Sequence, residues 1–380
     1  MIDEADFLII GGGMAGAGVA YFLARSGRRA IVLERETAPG YHASGRSAAL
    51  LHVSYGPPAV RALTLAATPF LRSPPAGFAA HPLLARRGSL TFCAPGQEAR
   101  LDAALEDARA VVPSAQRLDR AQTLARCPAL RAEAVGATLW EPEVADIDVH
   151  ALLAGFLRGA KAGGGRLVGD AEVLALENAG GRWVAETRAG RFAAPVVIDA
   201  AGAWADDVAA LAGVAPLGLT PKRRTVITFD PPEGLDLARL PLVGDLDDDL
   251  YFKPEGGRLM ASPSDETPSP PCDAQAEELD VAIVIDRLER ATTLAPRRIV
   301  HRRAGLRSFV ADGVPAVGPA ADAEGFFWLA GQGGYGIETA PALCHLAAAL
   351  VTGEPPPADL AAAGLDPATL APTRATLTAL

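Results

Sequence analysis

The sequence predicts an α/β protein in which a Rossmann-like domain is assembled from separated segments and a second domain is inserted between them. Three observations carry this expectation. Short apolar runs without alternation, at residues 7–10, 30–33 and 194–200, read as parallel strands covered on both faces. Glycine-rich or small-residue turns follow such runs at residues 11–16, 200–202 and 331–336, spread over nearly the whole chain. The length of 380 residues is enough for two domains.

Taken in order, Phe7-Leu8-Ile9-Ile10 is the first strand, and Gly11-x-Gly13-x-x-Gly16 turns it into a helix over residues 15–25 that ends near Gly27. Ala30-Ile31-Val32-Leu33 is the second strand, closed by Glu34. A strand before and a helix after make the glycine pattern a dinucleotide fingerprint. Gly11 permits the tight turn, Gly13 lets the backbone approach a pyrophosphate, and Gly16 lets helix and strand pack closely. The helix N-terminus offers Met14 and Ala15 amides and a positive dipole end to phosphates. Glu34, followed by Arg35, is placed to accept a ribose hydroxyl and to disfavour a 2′-phosphate.

Residues 194–202 form another buried strand running into a turn at Ala201-Gly202, and residues 325–330 lead into the glycine-rich stretch 331–336 and an alanine- and leucine-rich helix. Residues 1–50, 146–214 and 301–380 are therefore assigned to one domain, and 51–145 with 215–300 to the other. The latter contains the β-like runs 225–229 and 249–252. Residues 262–271, rich in Pro and Ser, read as a loop, and the Pro- and Ala-rich stretch from Pro355 onward as a loosely packed tail.

Composition narrows the function. Apolar residues make up 49% and charged residues 21%, which excludes wholesale disorder, collagen-like and coiled-coil classes. A formal net charge of −10 argues against a broad footprint for nucleic acid or anionic lipid. Cys93, Cys127, Cys272 and Cys344 are far apart, with no C-x-x-C and no histidine at ligand spacing, so neither a metal site nor a disulfide framework is indicated. They read as buried thiols of a reducing compartment. An acidic start without a signal-peptide pattern and no long apolar window fit a cytoplasmic protein without an integral membrane segment, though a peripheral association with the inner membrane stays open.

Beyond the fingerprint, Tyr41-His42-Ala43-Ser44-Gly45-Arg46-Ser47-Ala48-Ala49, Pro221-Lys222-Arg223-Arg224, Tyr251, Gly305-Leu306-Arg307-Ser308 and residues 312–318 and 331–338 resemble the FAD-dependent D-amino-acid oxidoreductase (DAO) family over nearly the full length. Pro39-Gly40-Tyr41-His42, Tyr55-Gly56 and residues 74–78, 81–84 and 304–313 are most similar to its bacterial D-arginine dehydrogenases. The resemblance implies a glutathione-reductase-like FAD domain and an inserted α+β substrate domain on a mainly antiparallel sheet. It implies non-covalent FAD, because no cysteine lies near Arg307. To the fingerprint it adds His42, Ala43, Ser44, Gly45, Arg46, Ser47, Ala48, Ala49, Val173, Ala201, Gly202, Gly305, Gly333, Gly334, Tyr335, Gly336, Ile337 and Glu338 as cofactor contacts. His42 reads as a flavin-side contact rather than a base.

Oxidation of an amino acid at flavin requires Cα–H to be positioned, not attacked. The resemblance makes Arg307 and Arg224 the expected carboxylate clamp, and a planar guanidinium can hold a carboxylate bidentately. By resemblance, Tyr55 and Tyr251 add phenolic hydrogen bonds and the Gly334 carbonyl accepts from the amine. Tyr55 lies in Ser54-Tyr55-Gly56-Pro57-Pro58, read as a hinged loop, and residues 245–249 as a second lid. Around the side chain of the substrate the sequence departs from D-arginine dehydrogenases: Ser89 stands where they have a glutamate, Leu50 replaces a histidine and His52 a threonine, with Leu242 completing this pocket. A missing carboxylate partner shifts preference from D-arginine to neutral, apolar or aromatic D-amino acids. Three alternatives remain: a basic substrate held by an acid from 245–249 or Glu338, a glycine- or sarcosine-type amine oxidase, and a flavin-binding protein without turnover. The partners expected are a small amino acid and an electron acceptor, a quinone, another carrier or O2.

Overall fold

The computed structural model describes residues 2–378. At its centre is a six-stranded sheet in the order Arg166–Val168, Ala30–Leu33, Phe7–Ile10, Val196–Asp199, Phe326–Ala330 and Ala316–Pro319. The first five run parallel and Ala316–Pro319 pairs antiparallel at the edge. All residues of Phe7–Ile10, Ala30–Leu33 and Phe326–Ala330 are buried, which is why their sequences show no alternation. The glycine-rich turn feeds the helix Met14–Arg25, which packs against the helices Val149–Ala162 and Ala340–Thr352.

A second, nine-stranded sheet is antiparallel except where Leu242–Asp245 lies parallel to Ser89–Phe92. Two of its strands, Thr220–Phe229 and Ile299–Phe309, pair along nearly their whole length. The stretch 262–271 is not wholly irregular: Thr267–Pro268 pairs with Lys222 and Arg223. Ser308 and Gly333 form an isolated bridge, with the Gly333 amide donating to the Ser308 carbonyl at 2.9 Å, so the nine-stranded sheet meets the glycine turn that leaves the parallel one.

Two expectations change. The tail is not loosely packed, because Leu360, Leu365 and Leu370 are buried in the same core as Ile9, Phe156 and Leu343. Arg374 also ion-pairs with Asp312 through two bonds, Nε to Oδ2 at 2.7 Å and Nη2 to Oδ1 at 2.8 Å. The cysteines are not uniformly buried either: Cys93, Cys127 and Cys344 are, whereas Cys272 is exposed on the loop before Asp273. No described helix is long and apolar enough to cross a membrane.

Candidate active site

A cavity of about 540 Å³ runs from the turn at Gly11 and Gly13 to the paired strands that carry Arg224 and Arg307. At its first end the backbone is tightly constrained. A Cβ on Gly16 would lie 1.9 Å from the Gly11 carbonyl oxygen, so only glycine lets the helix start this close to the turn. Ser44 Oγ accepts from the Met14 amide at 2.9 Å, tying residues 42–48 to the helix N-terminus. Glu34 is buried, and its two oxygens accept from the Gly12 and Glu36 amides, each at 2.8 Å. Each oxygen keeps a further lone pair, and the side chain still lines the cavity, so a hydroxyl donor can be added to this carboxylate.

Arg35 lies 4.8 Å above the Trp204 ring and ion-pairs with Glu172 at 3.2 Å. His42 Nε2 is 2.9 Å from Glu36 Oε1 and its ring is 4.6 Å from Trp204. Arg46 donates to the Ala274 and Ala304 carbonyls, at 2.8 and 2.9 Å, and ion-pairs with Asp273. It thereby binds residues 42–48 to the strand Ile299–Phe309 and to the loop over the cavity.

At the other end, register decides the geometry. Lys222 sits opposite Arg307 and Arg224 opposite Gly305, so Arg224 and Arg307 are diagonal neighbours on one face of the antiparallel pair. Arg224 is 5% exposed; Nε donates to the Asp265 carbonyl at 3.0 Å and Nη2 to Glu266 at 3.1 Å. Its Nη1 is buried with no partner, although the residue lines the cavity. A buried guanidinium N–H without an acceptor is costly, so this group suits an anion or carbonyl oxygen in the cavity.

Arg307 also lines the cavity, and Tyr55 lies close enough to it for their charges to interact. Burial would lower its pKa, but Tyr55, Tyr251 and Asp248 outweigh this and hold the guanidinium charged. A Cβ on Gly334 would fall 2.9 Å from the guanidinium carbon, so glycine there allows the turn to lie against Arg307. Tyr251 lines the cavity, while the ring of Tyr55 stands 5.4 Å from Tyr335 and 5.8 Å from His52. Burial pushes the Tyr335 hydroxyl up to about 12 and raises that of Tyr55 as well.

Of the remaining expected contacts, Ala15, Ala43, Ser47, Ala48, Val173, Ala201, Gly202, Gly305, Gly333, Gly336 and Ile337 line the cavity. Gly16, Gly45, Ala49, Tyr55, Tyr335 and Glu338 are not among the lining residues, nor are Leu50, His52, Ser89 and Leu242. Ser89 is buried in the nine-stranded sheet between Leu242 on one side and Glu141 on the other. Asp248, in the turn 245–249, has φ +54 and accepts from Ser264 Oγ at 3.2 Å. Sequence reasoning missed Trp204, whose position just past the Ala201-Gly202 turn was an available signal, and Glu141, which carried none. An adjoining cradle for a pyrophosphate and two convergent guanidinium groups suit a dinucleotide cofactor and an anionic small molecule.

The family described as FAD dependent oxidoreductase (DAO) matches residues 6–350. Glycine oxidase of Geobacillus kaustophilus is 27% identical over 95% of this chain and 96% of its own, and a crystal structure of glycine oxidase from that organism superposes with a TM-score of 0.83 at 24% identity, covering 98% and 99%. Mitochondrial dimethylglycine dehydrogenase of Mus musculus is 28% identical over 60% of this chain and 28% of its own length. Iminodiacetate oxidase from Chelativorans sp. BNC1 shares the fold, with a TM-score of 0.81 at 24% identity over 96% and 98%.

Proposed function

The chain belongs to the family of FAD-dependent oxidoreductases, and we propose that within it this protein deaminates neutral D-amino acids oxidatively. FAD is its cofactor; when bound, it supplies a two-electron acceptor for the hydride that leaves Cα. In this reading the glycine turn at Gly11, Gly13 and Gly16, with Ser44, Glu34 and Arg46, holds the dinucleotide. The buried, unpartnered Nη1 of Arg224 is the observation that carries the substrate assignment, because it calls for a carboxylate in the cavity that Arg307 shares. Tyr55 and Tyr251 hold that carboxylate from the flank, and the Gly334 carbonyl accepts from the amine. Loss of hydride from the neutral amine leaves a C=N bond formed from the nitrogen lone pair; water adds to it, and ammonium departs from the 2-oxo acid.

A neutral side chain is favoured because Ser89, which pairs with Leu242 and Glu141 across the sheet, is uncharged, and Glu141 itself already accepts from His52 and Ser54. A second reading, oxidation of glycine or an N-substituted glycine, draws on the Tyr55–Tyr335 wall beside Arg307, which leaves little room beyond the carboxylate, and on the glycine oxidase relative.

Anaerobic bleaching of the flavin band with D-leucine, D-phenylalanine, D-arginine, L-leucine, glycine and sarcosine separates these readings. Fast reduction by an apolar D-amino acid supports the first, reduction by glycine or sarcosine alone supports the second, and a D-arginine preference overturns the neutral-side-chain assignment. Arg224→Gln should retain flavin while weakening carboxylate binding by about 10²-fold or more. Mixing the reduced enzyme with O2 or with a soluble quinone identifies the acceptor.

A further inference from the structure

We propose that Glu141 is a positioning residue that holds Tyr55 against Arg307; this rests on the reading that Arg307 and Tyr55 bind the substrate carboxylate. Glu141 is 2% exposed at the end of the strand Thr138–Glu141 and does not line the cavity. Its two oxygens accept from Ser54 Oγ at 2.5 Å and His52 Nε2 at 2.7 Å. Both donors lie within three residues before Tyr55. From the opposite side Glu338 Oε2 accepts from the His52 amide at 2.8 Å, and beyond Tyr55 the Gly56 carbonyl accepts from Arg61 Nε at 2.7 Å.

Residues 52–57 have no helix or strand of their own, and Gly56 adopts φ +88. Such a segment is free to hinge unless side chains fix it. Here each flank of Tyr55 is fastened to a buried or half-buried group, and Glu141 alone takes two of the fastenings. A buried ion pair of this kind adds little net stability compared with apolar packing. What it specifies is where the backbone of Tyr55 stands, and hence whether the phenol reaches Arg307. The segment expected to hinge is therefore latched, and the latch is a carboxylate one strand away from Ser89.

The test uses the flavin-loaded enzyme and acetate, a carboxylate that cannot be oxidised at an amine, with affinity read from perturbation of the flavin spectrum. Glu141→Gln should raise the acetate Kd about tenfold, and Ser54→Ala, which removes one of the two fastenings, about threefold. In a Tyr55→Phe background the effect of Glu141→Gln should shrink below about twofold, because the residue it positions no longer contributes. Amide exchange should accelerate at residues 52–56 and not in the strand Ser89–Phe92. An undiminished Glu141→Gln effect in the Tyr55→Phe background, or faster exchange throughout the sheet with unchanged Kd, overturns the proposal. Should Glu141→Gln fail to fold, Ser54→Ala in the two backgrounds decides by the same criterion. Arg307→Gln tells apart the failure of the underlying reading: if it leaves acetate affinity unchanged, the carboxylate assignment falls and the role of Glu141 with it, whereas a weakened Arg307→Gln beside an unaffected Glu141→Gln rejects the latch alone.

Discussion

Glu338 is a carboxyl group in surroundings that suit its neutral form. Burial pushes it up to about 8, against the opposing pull of the His52 amide and of the charges on His52 and Arg307. Its folded-state pKa thus lies above its unfolded one, so the native protein binds this proton more tightly. The stability it contributes is complete below the ordinary carboxyl range and is lost as pH rises toward about 8. His52, raised mainly by Glu141 against the desolvation that would lower it, acts in the same direction. Glu338→Gln isolates the first group: its unfolding midpoint should fall less between about pH 5 and pH 8 than that of the unaltered protein. Identical pH profiles would show that Glu338 is ionised when folded. Nothing in the sequence signalled this, since a glutamate at the end of a glycine-rich turn is ordinarily solvated, and its burial comes from the docking of residues 50–55.

At the scale of elements, the turn 11–16 was the most legible part of the chain because its constraints are local. Strand, glycine spacing and helix are consecutive in sequence, and the structure moves the helix start by one residue, to Met14. The resemblance singles out Arg224 and Arg307 in the sequence, but not their juxtaposition. Arg224 and Arg307 become diagonal neighbours through a cross-strand register that spans more than eighty residues of chain, which spacing does not encode. Ser89 and Leu242 illustrate the same limit, since both were expected in the substrate pocket and instead pair in the sheet outside the cavity lining. For the turn, Gly16→Ala is decisive. A Cβ 1.9 Å from a backbone oxygen cannot be relieved by rotating a side chain, so helix and turn must separate. The purified variant should contain little or no flavin, and a full flavin complement in it would show that the turn tolerates the separation.

For the whole molecule, the course of the chain after residue 353 shows how composition misleads. Proline and alanine suggested a loose end, yet Leu360, Leu365 and Leu370, five residues apart, each reach the core that supports the parallel sheet. That spacing matches neither a single helix face nor a strand, because a short helix, a turn and a 3-10 segment succeed one another between them. Arg374 then fastens the tail to the loop after the arginine-bearing strand, and its guanidinium holds the Asp312 carboxyl well below the usual carboxylate range. Leu370 is fully buried, so Leu370→Ala should cost about 2–5 kcal/mol through lost burial and the cavity left behind. Thermal unfolding of the flavin-loaded variant measures this directly. A midpoint within a degree of the unaltered protein would mean that the tail rests on the core without contributing to it, whereas the expected fall makes it a structural part of the core that it shares with Ile9 of the parallel sheet.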